Sequence, residues 1–217
     1  MAINIAIDGP SGAGKSTISD ILASKLGYIH LDTGAMYRAV AYAALKRNIA
    51  LDDEDSVVNM IDKLDLDMRP DGSLSCDGED ITKKIREPHM SMAASNVSKL
   101  KKVRAALVSM QQKIASKKGY ILDGRDIGTV VLKDAEVKIF LTASPEDRAQ
   151  RRVLQNKNNG IDTDYDAIYK EILERDYQDS HRANSPLKKA DDAIEIDSSN
   201  MTKDEVVNKV LSLVNNK

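Results

Sequence analysis

Short runs of apolar and β-branched residues recur along the chain at Ile3 to Ile7, Tyr28 to Leu31, Tyr120 to Leu122, Val137 to Thr142 and Ala193 to Ile196. Stretches with helical periodicity separate them. They predict helices over Lys15 to Leu26, from Asp32-Thr33 through Lys46, over Pro88 to Lys117 with an interruption near Ser98, over Pro145 to Gln155, and over Asp164 to Ser180. This alternation predicts an α/β fold, a parallel five-stranded sheet flanked by helices. Such sheets bind ligands beyond the carboxyl ends of their strands. Asp8-Gly9, Asp32-Thr33-Gly34 and Asp123-Gly124-Arg125-Asp126 each follow a run, so three loops are expected to converge on one crevice.

Two segments break the rhythm. From Leu64 to Ile81, Leu64, Leu66 and Met68 alternate with Asp65 and Asp67 before Pro70-Asp71-Gly72 turns the chain towards Ser73 to Cys76, which predicts a small antiparallel β insertion. Asn156 to Thr163 is polar, carries Gly160, and is expected to be a mobile loop between helices. No internal repeat or low-complexity tract is present.

Composition narrows the functions available. The chain has 217 residues, 41% of them hydrophobic, enough for one main domain with a lid or small insertion. Its 34 acidic and 32 basic residues leave a net charge of -2, which argues against a non-specific nucleic-acid binder. Cys76 is the single cysteine, so a disulfide framework is excluded and a reducing compartment, the cytoplasm, fits. No apolar run approaches the ~20 residues needed to cross a bilayer. With no heptad seam or long apolar edge, a monomer is expected.

The sharpest motif is Gly9-Pro10-Ser11-Gly12-Ala13-Gly14-Lys15-Ser16, a G-x-x-x-x-G-K-[ST] phosphate-binding loop between a predicted strand and a predicted helix. Its glycines let successive amides point inward, the helix N-terminus adds positive potential, and Lys15 brings a charge to the β- and γ-oxygens of ATP. Ser16 is then a Mg²⁺ ligand. Asp123, closing an apolar strand, sits where a carboxylate holds Mg²⁺ through water, and Arg125 lies two residues on.

The loop does not identify the acceptor, since the same cradle serves switches, motors and small-molecule kinases. No guanine-reading N-K-x-D tetrad is present. Asp32 or Thr33 is expected to cap the helix from which Arg38 emerges one turn later. Further on, Arg148, Arg151 and Arg152 precede the polar loop, and Arg175, Asp179 and Arg182 follow it. Arg148 and Arg151 share a helix face, as do Arg175 and Asp179. Alone, such groups are most often solvated salt-bridged faces. Beside a phosphate cradle they supply the cations that phosphoryl transfer needs, delivered by a lid that excludes water. His30, His89 and His181 are scattered, and His30 is expected to be a core strand residue.

Across essentially its whole length the chain resembles the bacterial cytidylate kinases, members of the nucleoside monophosphate kinase class. The residues that carry the resemblance are Ile7 to Lys15, Leu31-Asp32-Thr33-Gly34-Ala35-Met36-Tyr37-Arg38, Ala93-Ala94-Ser95-Asn96-Val97, Asp123 to Val131, and Asp147-Arg148-Ala149-Gln150-Arg151-Arg152. The resemblance implies ATP-dependent phosphorylation of CMP and dCMP. It places a lid at about 152–163 and a nucleotide-monophosphate-binding part at about 33–105, enlarged by the insertion at about 64–81. It further implies that Thr33, Ser95, Arg104 and Asp126 meet cytosine, that Asp179 with Arg175 meets the ribose, and that Arg38, Arg125 and Arg182 hold the acceptor phosphate, with Tyr37 in the same pocket. Lys15, Arg125, Arg148, Arg151 and Arg152 are its catalytic cations, and Gly9 to Thr17 hold ATP. Family members often carry Ser where this chain has Thr33, and some have Gly-Thr where it has Ser16-Thr17. Ser16 restores the usual Mg²⁺ ligand, and Thr33 adds a methyl to the pocket.

Overall fold

The computed structural model describes residues 2–69 and 72–216. Its centre is a five-stranded parallel sheet of β1 (Ile5–Asp8), β2 (Ile29–Asp32), β6 (Tyr120–Gly124), β7 (Val137–Thr142) and β8 (Ile194–Asp197), in the order β2-β6-β1-β7-β8. Helices cover both faces, so the central strands are apolar throughout. Side chains alternate across the sheet. Ile5, Ile7, Ile121, Ile139 and Ile196 pack on one side against Ile18 and Leu22 of α1 (Lys15–Leu26) and Val206, Val207 and Val210 of α8 (Lys203–Asn215). Ala6 and Leu122 face the other side, under Met36 and Val40 of α2 (Thr33–Lys46) and Val103 and Leu107 of α5 (Lys101–Ala115).

The predicted insertion is present, with one more strand than expected. Strands β3 (Leu66–Met68), β4 (Leu74–Cys76) and β5 (Glu79–Asp80) form an antiparallel sheet. Asp77 and Gly78, both at positive φ, close the β4–β5 hairpin; this two-residue Asp-Gly turn was a readable signal for the third strand. Pro70 and Asp71 of the expected β3–β4 turn lie outside the described residues. Leu74, Cys76 and Ile81 anchor the insertion in the α2 side of the core, which they share with Val57 of α3 (Glu54–Ile61).

Neither α3 nor α8 was predicted, although both carry caps. Asp53 accepts from the Ser56 amide, and Thr202 and Glu205 form a reciprocal capping box. The long predicted helix divides as expected, into α4 (Pro88–Val97) and α5. The polar stretch after α6 (Pro145–Asn158) departs from expectation, because helix continues through Asn158. Asn156 is buried, its side chain bonds Thr163 Oγ1 at 3.4 Å, and its carbonyl accepts from the Ile161 amide, so the polar run is folded back on itself before α7 (Tyr165–His181).

Strands β1, β2 and β8 run one residue further than the apolar pattern and β6 two. A parallel ladder bonds only backbone, so Asp8, Asp32 and Asp123 remain in register at the ends of β1, β2 and β6, with Asp32 opposite Asp123. Asp8 accepts from the amides of Ile127 and Gly128, both at 2.7 Å, and thereby fixes the single wide helical turn Ile127–Val131 that follows β6. Burial pushes the Asp8 carboxyl up from 3.8 to about 6, against those two amides. A carboxyl raised in the folded state contributes stability that is present below pH 4 and lost as pH rises through 6. Urea unfolding of wild type and Asp8→Asn between pH 4 and 7 is expected to show wild type losing roughly 3 kcal/mol relative to the variant; a difference that stays flat with pH would remove this assignment.

Candidate active site

At the carboxyl ends of β1, β2 and β6 the three loops meet as expected. The phosphate loop leaves β1 at Gly9, where φ is 148° and a Cβ would lie 1.9 Å from the Leu141 carbonyl oxygen, so only glycine lets the loop pass so close to β7. The turn ends at Gly14, left-handed at the start of α1. Pro10, Ser11 and Ala13 are buried, Gly12 and Ser16 half-buried, and Thr17 is exposed on the first helical turn. Lys15 is folded into the loop, donating from Nζ to the Pro10 carbonyl at 2.7 Å. Burial, reinforced by Arg125, pulls its ammonium down to about 7.

Beside Lys15, the Ser16 hydroxyl donates to Asp123 Oδ2 at 2.9 Å. These two oxygens suit a hard cation that keeps most of its own water. Among the described residues no group of three or more His, Cys, Asp or Glu side chains is arranged to hold a metal ion. Asp123 Oδ1 is taken by His30 Nε2 at 2.8 Å, and His30 Nδ1 meets Asp20 Oδ1 at 2.7 Å. His30 therefore lies on a sheet strand, as expected, but its largely buried side chain is held by two carboxylates and not by apolar packing. Burial works to lower its pKa, but the bonds to Asp123 and Asp20 outweigh it and raise the ring to about 9. With no motif to mark it, this contact was invisible in the sequence.

A cavity next to the loop is lined by Thr33, Tyr37, Ser95, Arg104, Arg125, Asp126, Arg175, Asp179 and Arg182. Asp32 rather than Thr33 caps α2, accepting from the Ala35 amide at 2.9 Å, and its other oxygen binds Arg38 at 2.8 Å. Thr33 donates to the Asp123 carbonyl at 2.7 Å. Asp126 pairs with Arg104 and lies 3.6 Å from Arg182. Asp179 accepts from Arg125 Nε at 2.8 Å and lies 3.8 Å from Arg175. Burial pushes Asp179 up, but Arg125 and Arg175 outweigh it and hold it below the ordinary carboxylate range. Burial and then Arg125 bring Arg175 down to about 9. Ser95 bonds Gln178 at 3.3 Å, Arg175 bonds Ser91, and the Arg104 guanidinium lies 5.6 Å from the Tyr37 ring centre. Burial lifts the Tyr37 phenol to about 12.

The three arginines before the polar loop separate into two groups. Arg148, almost fully buried, donates to the carbonyls of Ala143 (2.9 Å) and Ser11 (3.1 Å) and to Asp176 (2.6 Å). Arg151 reaches the Ala13 carbonyl at 3.5 Å and the Ser198 carbonyl at 2.7 Å. Both thus brace the phosphate loop from behind through its carbonyls at Ser11 and Ala13. The physical reason is position on α6: the face they share packs under the loop. Arg152 makes no hydrogen bond or ion pair among the described residues, and burial together with Arg38 and Arg125 lowers its pKa despite Glu171.

A phosphate loop on a parallel sheet, beside a cavity of buried arginines, defines a P-loop kinase acting on a small molecule. A family profile for cytidylate kinase matches residues 5–216. The chain is 55% identical over 214 residues to the cytidylate kinase of Caldicellulosiruptor bescii (97% of this chain, 95% of that one) and 50% identical over 215 to that of Ligilactobacillus salivarius (98% and 96%). The chain belongs to the cytidylate kinase family, and membership implies ATP-dependent phosphorylation of CMP. Solved structures of a shikimate kinase from Bacteroides thetaiotaomicron (14% identity, TM-score 0.50, 99% of each chain) and a sugar kinase from Janibacter (12%, 0.51, 99% of this chain and 95% of that one) share the fold.

The two arginine groups are expected to respond differently to truncation. Arg148→Ala strands Asp176 and the carbonyls of Ser11 and Ala143 and should cost roughly 3–5 kcal/mol in denaturant unfolding. Arg152→Ala should cost under about 1 kcal/mol while removing most turnover. Equal stability losses for both would contradict this division.

Proposed function

We propose that this kinase transfers the γ-phosphoryl of ATP directly to the phosphate of CMP and dCMP, in line and with Mg²⁺. One observation carries the reading: Arg104, Arg175 and Arg182 line the acceptor cavity, Arg38 lies beside Gly34 at its rim, and each keeps one buried guanidinium nitrogen with no hydrogen-bond partner among the described residues. Buried donors are rarely left so, and four around one cavity call for a ligand rich in oxygen acceptors. Two carboxylates, Asp126 and Asp179, stand among them for the groups of the ligand that donate.

In this reading Gly9 to Thr17 hold ATP, and Lys15 moves from the Pro10 carbonyl to the β- and γ-oxygens. Ser16 and Asp123 would hold the Mg²⁺, which offsets phosphate charge when bound. Arg38, Arg125 and Arg182 grip the acceptor phosphate, and Arg175 with Asp179 meets the ribose. Thr33, Ser95, Arg104 and Asp126 read cytosine, whose N4 amino group donates while N3 and O2 accept, so a carboxylate and a guanidinium complement it. Uracil would set O4 against Asp126 and leave a buried carboxylate unpaired. Arg125 and Arg152 stabilise charge in transfer, Arg148 and Arg151 fix the loop that does so, and the segment at about 152–163 acts as the lid over the part at about 33–105. An ionised acceptor phosphate needs no general base.

A coupled assay with ATP and Mg²⁺ across CMP, dCMP, UMP and AMP tests the acceptor; the two cytosine nucleotides are expected to lead, and activity confined to AMP would refute the reading. Asp126→Asn should narrow the CMP-to-UMP ratio of kcat/KM by about tenfold or more. Lys15→Ala should lower kcat by at least about 10²-fold with the fold intact by circular dichroism.

A further inference from the structure

His30 belongs to none of the motifs above, yet the sheet delivers it to the metal-proximal carboxylate. On β2 it stands opposite Ile121 of β6. Partners in adjacent strands share a face, and so do residues two apart on one strand, so His30 and Asp123 project to the same side of the sheet. That side is covered by α1, which carries Ser16 and Asp20 four residues apart, one turn along one helix face. The result is one continuous line of contacts: Asp20 to His30 at 2.7 Å, His30 to Asp123 at 2.8 Å, and Ser16 to Asp123 at 2.9 Å. Both ring nitrogens face carboxylates, which only accept, so His30 donates at both ends. The Asp123 side chain is 4% exposed and that of His30 11%, whereas Asp20 is 69% exposed.

We infer that His30 is a positioning residue for Asp123: by occupying Oδ1 it fixes the carboxylate plane and leaves Oδ2 turned to Ser16, where the Mg²⁺ of the ATP complex is expected. The inference rests on the metal reading under Proposed function and adds to it a residue that touches neither metal nor substrate. Outer partners of this kind commonly change metal affinity by about 10–100-fold when removed. Charge alone makes the opposite forecast. Were His30 only a counter-charge, its removal would free a buried carboxylate and tighten Mg²⁺ binding.

The test is the binding of a fluorescent ATP analogue to the intact protein at pH 7, without Mg²⁺ and then across a titration of free Mg²⁺. Wild type should show saturable Mg²⁺ enhancement; its absence would overturn the metal reading, and His30's role with it. Given that enhancement, His30→Ala should raise the half-saturating Mg²⁺ concentration about tenfold or more, with Mg²⁺-free affinity held within about twofold of wild type. His30→Gln, which keeps one donor for Asp123, should recover most of the loss, and Asp20→Asn should change little. If His30→Ala does not fold, His30→Phe fills the space without a donor and makes the same comparison with His30→Gln. Wild-type or tighter Mg²⁺ binding in a folded donor-less variant would overturn the positioning role alone.

Discussion

Guanidinium groups crowded into one low-dielectric crevice must be neutralised, and that requirement organises this molecule. Two like charges about 5 Å apart at an effective dielectric of 20 repel by about 3 kcal/mol, and Arg38, Arg104, Arg125, Arg175 and Arg182 all meet around the acceptor cavity or its rim. Three carboxylates hold them in place: Asp32 at the start of α2 binds Arg38, Asp126 binds Arg104 and faces Arg182, and Asp179 binds Arg125 and faces Arg175. The carboxylates leave one buried nitrogen each on Arg38, Arg104, Arg175 and Arg182 without a hydrogen-bond partner among the described residues. Burial first, then repulsion from Arg125 and Arg104 respectively, lowers the pKa values of Arg175 and Arg182.

A second layer of charge works behind the phosphate loop. Backbone amides that curl inward toward a ligand leave their carbonyls turned outward, and those carbonyls need donors. Arg148 supplies one at Ser11, Arg151 supplies one at Ala13, and Lys15 meets Pro10 from inside. The loop is thereby preorganised before any nucleotide arrives, which is the state in which electrostatic stabilisation costs least. Asp8 does comparable work on the acceptor side by pinning the turn after β6, so that Asp126 is presented from a fixed backbone.

Kinases for chemically different acceptors share this sheet at identities of 12–14%. The fold by itself therefore says nothing about the acceptor, and in this chain residues of α2, α4 and α7 wall the cavity beside the phosphate loop. The β3-β4-β5 insertion lies behind that wall, with Leu74 and Ile81 packed in the core that also holds Met36, Tyr37 and Val40 of α2.

Sequence alone determined the sheet and the phosphate loop, because strand and helix periods and a fixed-spacing glycine motif are local signals, and the family resemblance named residues that the structure brings to one cavity. It missed α3, α8 and the third strand of the insertion even though their caps and the Asp77-Gly78 turn were legible; α3 and the strand are too short to carry much periodicity, whereas α8, with Val206, Val207 and Val210 buried on one side, was readable. The polar run from Asn156 to Thr163 read as loop throughout, whereas burial of Asn156 lets helix persist to Asn158. What only the tertiary structure decided were relations between residues far apart in the chain. Arg148 and Arg151 turned to carbonyls 137 and 138 residues away, and His30 met Asp123 across 93. Side-chain direction at such distances is set by sheet register and helix packing, and no one-dimensional pattern records either.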